Sequence, residues 1–294
     1  MTVTPTATHL VRGARSASRK TGQPADVLLR VAVIVLATIV AVSVIAVVTG
    51  MAGSTSATVS GRFEGFSPLA PIGTDNLGRS LLPRLFQGTV TTLVVSLVAV
   101  ICSAVVSTAL GMLAGFYGGG VNETIMRASD VLYAFPALVL AILISALLGP
   151  GRAAAIVSIV VITIPLMTRV VRMATRSVAG RDFVVSARIS GVRTPSILLR
   201  RILPNIAGTV AVQASYALSI AILIEGGLSF LGFGVQVPDA SLGLLIQQGM
   251  LYMTQAPHLV IAPGVVLVSS ILCINIIGDG LRDRFEPRET RSLR

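Results

Sequence analysis

Lysine is almost missing from this chain. Lys20 is the only one in 294 residues, and Arg19 rather than glycine precedes it. A phosphate-cradling Gly-x-x-x-x-Gly-Lys-[Ser/Thr] loop is therefore excluded, and any ATP used in its work must be handled by another chain. Tryptophan is absent and aromatic residues make up 4%, too few to stack on bases. The net charge of +11 thus does not point to nucleic acid. The two histidines lie apart, His9 in a polar tail and His258 at the edge of an apolar run. Cys102 and Cys273 fall inside apolar runs and read as buried small hydrophobes. None of the four stands at ligand spacing, so no metal site is supported. Hydrolase elbows and paired carboxylates within apolar runs are also missing, which argues against a membrane enzyme.

What the sequence has in abundance is hydrophobicity. Apolar residues make up 53%, charged residues 12%, and the mean hydropathy is +0.87. No water-soluble core could bury so much, and the charge-poor runs reach the roughly 20 residues needed to cross a bilayer. The fold class is an all-α membrane protein with six transmembrane helices. Residues 1–27 read as a disordered tail and 28–49 as the first span. A secretory signal peptide competes for that run, but the run is longer than an h-region. A polar connection covers 50–87. A five-helix core covers 88–278, with spans near 88–116, Asp130–Leu148, 153–168, 206–224 and 259–277. An irregular segment at 225–258 carries a short amphipathic helix near 242–253, and a charged tail covers 279–294.

Arginine placement sets the orientation. Arg169, Arg172, Arg176, Arg181, Arg188, Arg193, Arg200 and Arg201 lie between spans four and five, and five more arginines follow span six. The 149–153 turn holds only Arg152 and residues 231–258 hold none. Positive charge stays in the cytoplasm, which predicts both termini and the 169–205 segment on that side. Arg62, Arg79 and Arg84 break the pattern mildly, offset in part by Glu64 and Asp75.

Ionisable residues within spans mark ion pathways. Glu225 is the one candidate, as a group lining or gating the pathway or as a carboxylate capping nearby amides. Asp130 and Arg127 read as a structural pair or a helix-dipole contact. Pro136 and Pro165 fall within spans, where they either kink a helix and open a cavity or simply pack. Asn122-Glu123-Thr124 matches a glycosylation sequon on the side predicted cytoplasmic, and reads as chance.

Residues 181–205 are the longest interruption in the apolar second half. An amphipathic helix from Asp182 to Ser190 should end at Gly191 in the left-handed conformation. Thr194-Pro195 reads as an N-cap followed by proline at the first helical position. A second short helix should end at Pro204. Phe183, Val184, Ala187 and Ile189 give the first helix an apolar face. It suits a lipid surface or a groove on a partner protein equally well.

The segment Asp182-Phe-Val-Val-Ser-Ala-Arg-Ile-Ser-Gly191, nine residues, then Arg201-Ile-Leu-Pro204-Asn205 resembles the EAA loop of bacterial ABC importer permeases. Gly73-Thr-Asp-Asn-Leu-Gly-Arg79, Asp130-Val-Leu-Tyr-Ala-Phe-Pro136, Leu228-Ser-Phe-Leu-Gly-Phe-Gly-Val-Gln236 and Asn275-Ile-Ile-Gly-Asp-Gly-Leu-Arg-Asp283 look like the dipeptide/oligopeptide/nickel branch, its C-type subunit in particular. The resemblance runs over roughly residues 30–290. It implies the type I ABC importer permease fold, a multi-pass protein of the bacterial cytoplasmic membrane, and no cofactor in this chain. ATP and magnesium would sit in partners. Those partners are two ATP-binding cassette domains, a homologous B-type permease subunit and an extracytoplasmic substrate-binding protein, all around a lipid bilayer and with no nucleic acid. It further implies import of di- or oligopeptides by alternating access, with nickel or haem-like cargo, or a stand-alone channel or ion-coupled carrier, as alternatives. The residues implied in ATPase coupling are Phe183, Val184, Val185, Ser186, Ala187, Arg188, Gly191, Arg193, Leu203 and Pro204. Glu225 and Pro136 are the candidates for the pathway or gate. Where the family has Glu-Ala-Ala this chain has Val185-Ser186-Ala187, and Arg201 replaces a frequent histidine. Docking is thereby expected to lean on Phe183, Val184 and Val185, with Arg188 or Arg193 as ionic contacts.

Overall fold

The computed structural model describes residues 23–50, 57–68 and 70–285. Most of the two predicted tails lies outside them. Ten α-helices are found among the described residues, and the only β-pairing there is two isolated bridges, Thr58 with Arg79 and Thr74 with Ser80. The first helix, α1 (Gln23–Thr49), begins five residues before the predicted span, with Asp26 in its first turn, where a carboxylate favours the helix dipole. Helix α2 (Leu81–Tyr117) is 37 residues long, about 56 Å at 1.5 Å per residue. It therefore protrudes beyond a hydrocarbon core of about 30 Å. Gly118, at φ 65°, ends it.

The third predicted span is corrected. Residues Asp130–Leu148 do not form one straight helix. They are shared between α3 (Gly119–Tyr133) and α4 (Ala137–Leu148), whose axes differ by 90°. Pro136 occupies the N-cap position of α4 in an extended conformation and cannot continue the preceding helix. The last turn of α3 tightens onto Asp130 and Leu132, and α4 restarts when Leu140 donates to the Pro136 carbonyl. Twelve residues of α4 reach about 18 Å, too short to cross alone. Among the described residues five helices are long and apolar enough to span a membrane, and there are six spans when the bent pair counts as one.

Helix α5 (Arg152–Ala179) packs along α2. The contact is built on small residues, as membrane helices without a hydrophobic driving force require. A Cβ on Gly111 would stand 2.7 Å from the Val171 Cβ, and one on Gly115 2.7 Å from the Arg172 carbonyl oxygen. Ser103, Ser107, Ser158, Thr168 and Thr175 are fully buried nearby. Several of these hydroxyls donate to carbonyls: Ser107 to Ile164 at 3.3 Å and Ser158 to Ala141 at 3.2 Å.

After α5 come α6 (Asp182–Ile189) and α7 (Thr194–Ile197). The expectation of a second short helix ending at Pro204 is overturned. Helix α7 passes through a π-turn at Leu198–Ile202 straight into α8 (Leu203–Phe230), giving one helical run, Thr194–Phe230. Pro204 sits in the first turn of α8, and the wider π-turn before it accommodates the amide hydrogen that proline lacks. Arg193, not Thr194, takes the N-cap position of α7. The chain then turns through 231–241 into α9 (Leu242–Met250) and ends the described residues with α10 (His258–Phe285). Three apolar clusters run along the bundle. One joins α6, α7 and the ends of α2 and α5, one fills the middle, and one joins the start of α2 to α9 and α10. The bundle thus has an α6 end and an α9 end.

Candidate functional site

At the α6 end, a single glycine sets the geometry. Gly191 adopts φ +74°, with its amide donating to the Arg188 carbonyl at 3.1 Å while the Val192 amide donates to Ala187 at 3.1 Å. This is a Schellman closure, and the predicted left-handed stop is found. It fixes which side of α6 faces in. Val184 is fully buried and Ala187 nearly so, packed with Met112, Val171, Ile197 and Ile202, with Phe183 half-buried beside them. Val185 and Ser186 face out, and Ile189 is 82% exposed. The guanidinium of Arg188 lies over the Phe116 ring, 4.4 Å from its centroid, so this arginine is held against α2. Arg193 and Pro204 are exposed and Leu203 is half-buried. The structure thus gathers the predicted coupling residues in one place but divides them between an inward set and an outward set. An unpartnered, apolar-centred ridge rimmed by arginines is what it presents.

Pro136 lies at the α3–α4 elbow, next to a cavity of about 280 Å³ lined by Leu132, Tyr133, Phe135, Ala137, Leu140 and Ile162. Arg169 of α5 ties this elbow down, pairing with Asp130 at 2.7 Å and lying 5.5 Å from the Tyr133 ring centroid. Asp130 is therefore paired with Arg169, while Arg127 pairs with Glu123 one turn away. Cys102 is exposed and Cys273 buried, and the two are not bonded.

At the other end, Glu225 is not exposed at all. Its Oε1 accepts from the Ser229 hydroxyl at 2.7 Å, and the Thr92 and Ser241 hydroxyls face the same carboxyl. Its Oε2 completes no hydrogen bond among the described residues. Residues 57–68 and 70–80 form an ordered connection that sequence reasoning left plain. Asp75 is its knot. One carboxylate oxygen accepts from the Leu77 and Arg79 amides at 2.8 and 2.9 Å, the other from Arg79 Nε at 2.7 Å and Arg84 Nη1 at 2.9 Å. Arg84 continues to Gln248 of α9 at 2.7 Å, and Asn76 donates to the Tyr252 hydroxyl at 3.3 Å. The spacing Asp75, Arg79, Arg84 was the available signal. Among the described residues no group of His, Cys, Asp or Glu could hold a metal.

These features define a polytopic helical membrane protein, with an exposed arginine-rimmed ridge at one end and an ordered cap at the other. The chain belongs to the family of binding-protein-dependent transport system inner membrane components, which it matches over residues 107–291. It is therefore a permease component rather than a catalytic one. It is similar to the di/tripeptide transport system permease protein DppC of Pseudomonas aeruginosa, 38% identical over 74% of this chain and 72% of that one. The glutathione transport system permease protein GsiD of Pectobacterium atrosepticum is 36% identical over 76% and 75%. The dipeptide transport system permease protein DppC of Haemophilus influenzae is 35% identical over 77% of each. Among solved structures, the inward-facing MetNI methionine ABC transporter matches in fold with a TM-score of 0.58 at 19% identity. That match covers 70% of this chain and 97% of that one. The fold is that of a type I ABC importer permease.

Proposed function

We propose that this chain forms half of the translocation pathway of an ATP-driven importer for di- or oligopeptides in a bacterial cytoplasmic membrane, with both termini in the cytoplasm. The pathway's other half is a homologous B-type subunit. Two ATP-binding cassette domains, which hold ATP and magnesium, dock on the α6 end, and an extracytoplasmic binding protein delivers cargo to the α9 end. Closure of the ATPase pair moves α6, and the bundle alternates between outward- and inward-facing states. The peptide transport named for the relatives supports the cargo class. The distribution of charge supports the orientation. Arg181, Arg193, Arg200 and Arg201 are exposed and make no ion pair among the described residues, whereas Arg79 and Arg84 at the α9 end share the Asp75 carboxylate, which offsets one of their two charges.

The observation that carries the coupling proposal is the outward ridge of α6, with Val185, Ser186 and Ile189 presented by the Gly191 closure. In this reading Val184, Ala187 and Leu203 hold the ridge in place, and Phe183, Arg188 and Arg193 frame it. Proline at 191 cannot take φ +74° and has no amide to give Arg188. Gly191→Pro is therefore expected to abolish ATP-dependent peptide uptake while the protein still inserts and is recovered from the membrane at parental levels. Unchanged uptake in that variant would refute the assignment of α6.

A further inference from the structure

The buried carboxyl of Glu225 stands where three elements meet, at the end of α8, the start of α9 and the flank of α2. Around it are three hydroxyls, and each is engaged by a backbone amide of the segment that caps the bundle. The Val235 amide donates to Ser229 Oγ at 3.0 Å, the Leu242 amide to Thr92 Oγ1 at 3.1 Å, and the Leu244 amide to Ser241 Oγ at 3.3 Å. With a lone pair occupied in this way, each hydroxyl retains its proton for an acceptor. Ser229 gives its proton to Glu225, and Thr92 and Ser241 face the same carboxyl. The packing leaves no slack. A Cβ on Gly243 would run into the Gly226 carbonyl oxygen, and one on Gly234 into the Ser229 hydroxyl. The loop at 231–241 is further tied to α5 by Asp239 and Arg152 at 2.8 Å. An ionisable side chain in a span is costly unless something uses it. No atom of Glu225 reaches a surface, and its carboxyl meets Ser229 of its own helix, Thr92 of α2 and Ser241 of the cap.

The same helix reaches the opposite end. The continuous run Thr194–Phe230 spans 37 residues, about 55 Å. Ile197, Leu198 and Ile202 at its start pack with Val184 and Ala187 of α6. One stiff element therefore touches the α6 ridge at its foot and the Glu225 cluster at its head, a contiguous route that can couple two distant sites.

We propose that Glu225 is a positioning residue that clamps the α9 cap to α8, so that engagement of the binding protein at the cap is passed down α8 to the ATPase-docking ridge. This rests on the permease reading above and adds to it a residue and a route. The test uses the whole transporter, this chain with its second permease subunit and ATPase subunits, reconstituted in liposomes. ATP hydrolysis is measured with and without peptide-loaded binding protein. Glu225→Ala is expected to lower the hydrolysis stimulated by binding protein about tenfold, within the range usual for coupling between sites, and to leave unstimulated hydrolysis within about twofold of the parent. Glu225→Gln keeps an acceptor oxygen for Ser229 and is expected to retain more than about half of the stimulation. Ser229→Ala and Thr92→Val cut the clamp without touching the carboxyl, and carry the same expectation as Glu225→Ala should that variant fail to assemble. Stimulation equal to the parent's in the alanine and valine variants would overturn the proposal. So would stimulated and unstimulated rates falling together, which indicates a structural role alone, or a glutamine variant as impaired as alanine. A parental complex that hydrolyses ATP but never responds to its binding protein would instead remove the importer reading, and the inference with it.

Discussion

The two ends of the bundle solve opposite problems. At the α6 end an eight-residue helix is held by apolar contacts, with Val184 at 0% exposure, and by one left-handed glycine. Around it Arg181, Arg193, Arg200 and Arg201 face outward and make no ion pair among the described residues. At the α9 end several charges are engaged within the chain. Asp75 takes up Arg79 and Arg84, Arg152 takes up Asp239, and hydroxyls close over Glu225. The first arrangement suits a surface that must offer itself to another protein. The second suits a cap that must keep its shape while something binds to it and leaves.

The largest effect on stability should come from opening the Asp75 knot. Asp75→Ala strands the buried Arg84 guanidinium, and removing one partner of a buried ion pair costs about 3–5 kcal/mol. Thermal melting in detergent followed by circular dichroism should show a clearly lowered midpoint. Asp75→Asn, which can still accept from the Leu77 and Arg79 amides, should lose less. If Asp75→Ala melts with the parent, the cap is not held together as described. The matching pair on the other half of the molecule, Glu123 with Arg127 on α3, lies mostly in solvent. Arg127→Ala should cost no more than about 0.5 kcal/mol, and the same melting experiment should leave its midpoint within error of the parent.

Much of this was legible in the sequence. The apolar runs gave the long helices because their period and length are set by the bilayer. Gly191 was legible because only glycine takes a left-handed stop cheaply. Two features were not. Pro136 and Pro204 look alike as letters, yet one breaks its helix by 90° and the other is absorbed into a continuous run. The difference lies in whether a neighbouring π-turn and the packing of Ile197, Leu198 and Ile202 can take up the missing hydrogen bond. The cap escaped notice because its order comes from contacts distant in sequence, such as Arg84 with Gln248 and Leu242 with Thr92. Asp75 was legible as a partial offset to Arg79 and Arg84, but its contact with both guanidinium groups at once shows only in the folded loop.

The central claim is that α6 docks on the ATPase by its outward side. In a background of Cys102→Ser and Cys273→Ser, single cysteines at positions 184, 185 and 189 can be tested for cross-linking to the ATPase subunits of the assembled transporter. The account predicts cross-links from positions 185 and 189 and none from 184, which is enclosed by Met112, Val171 and Ile202. Cross-linking from 184 equal to that from 189, or none from any of the three, would contradict it.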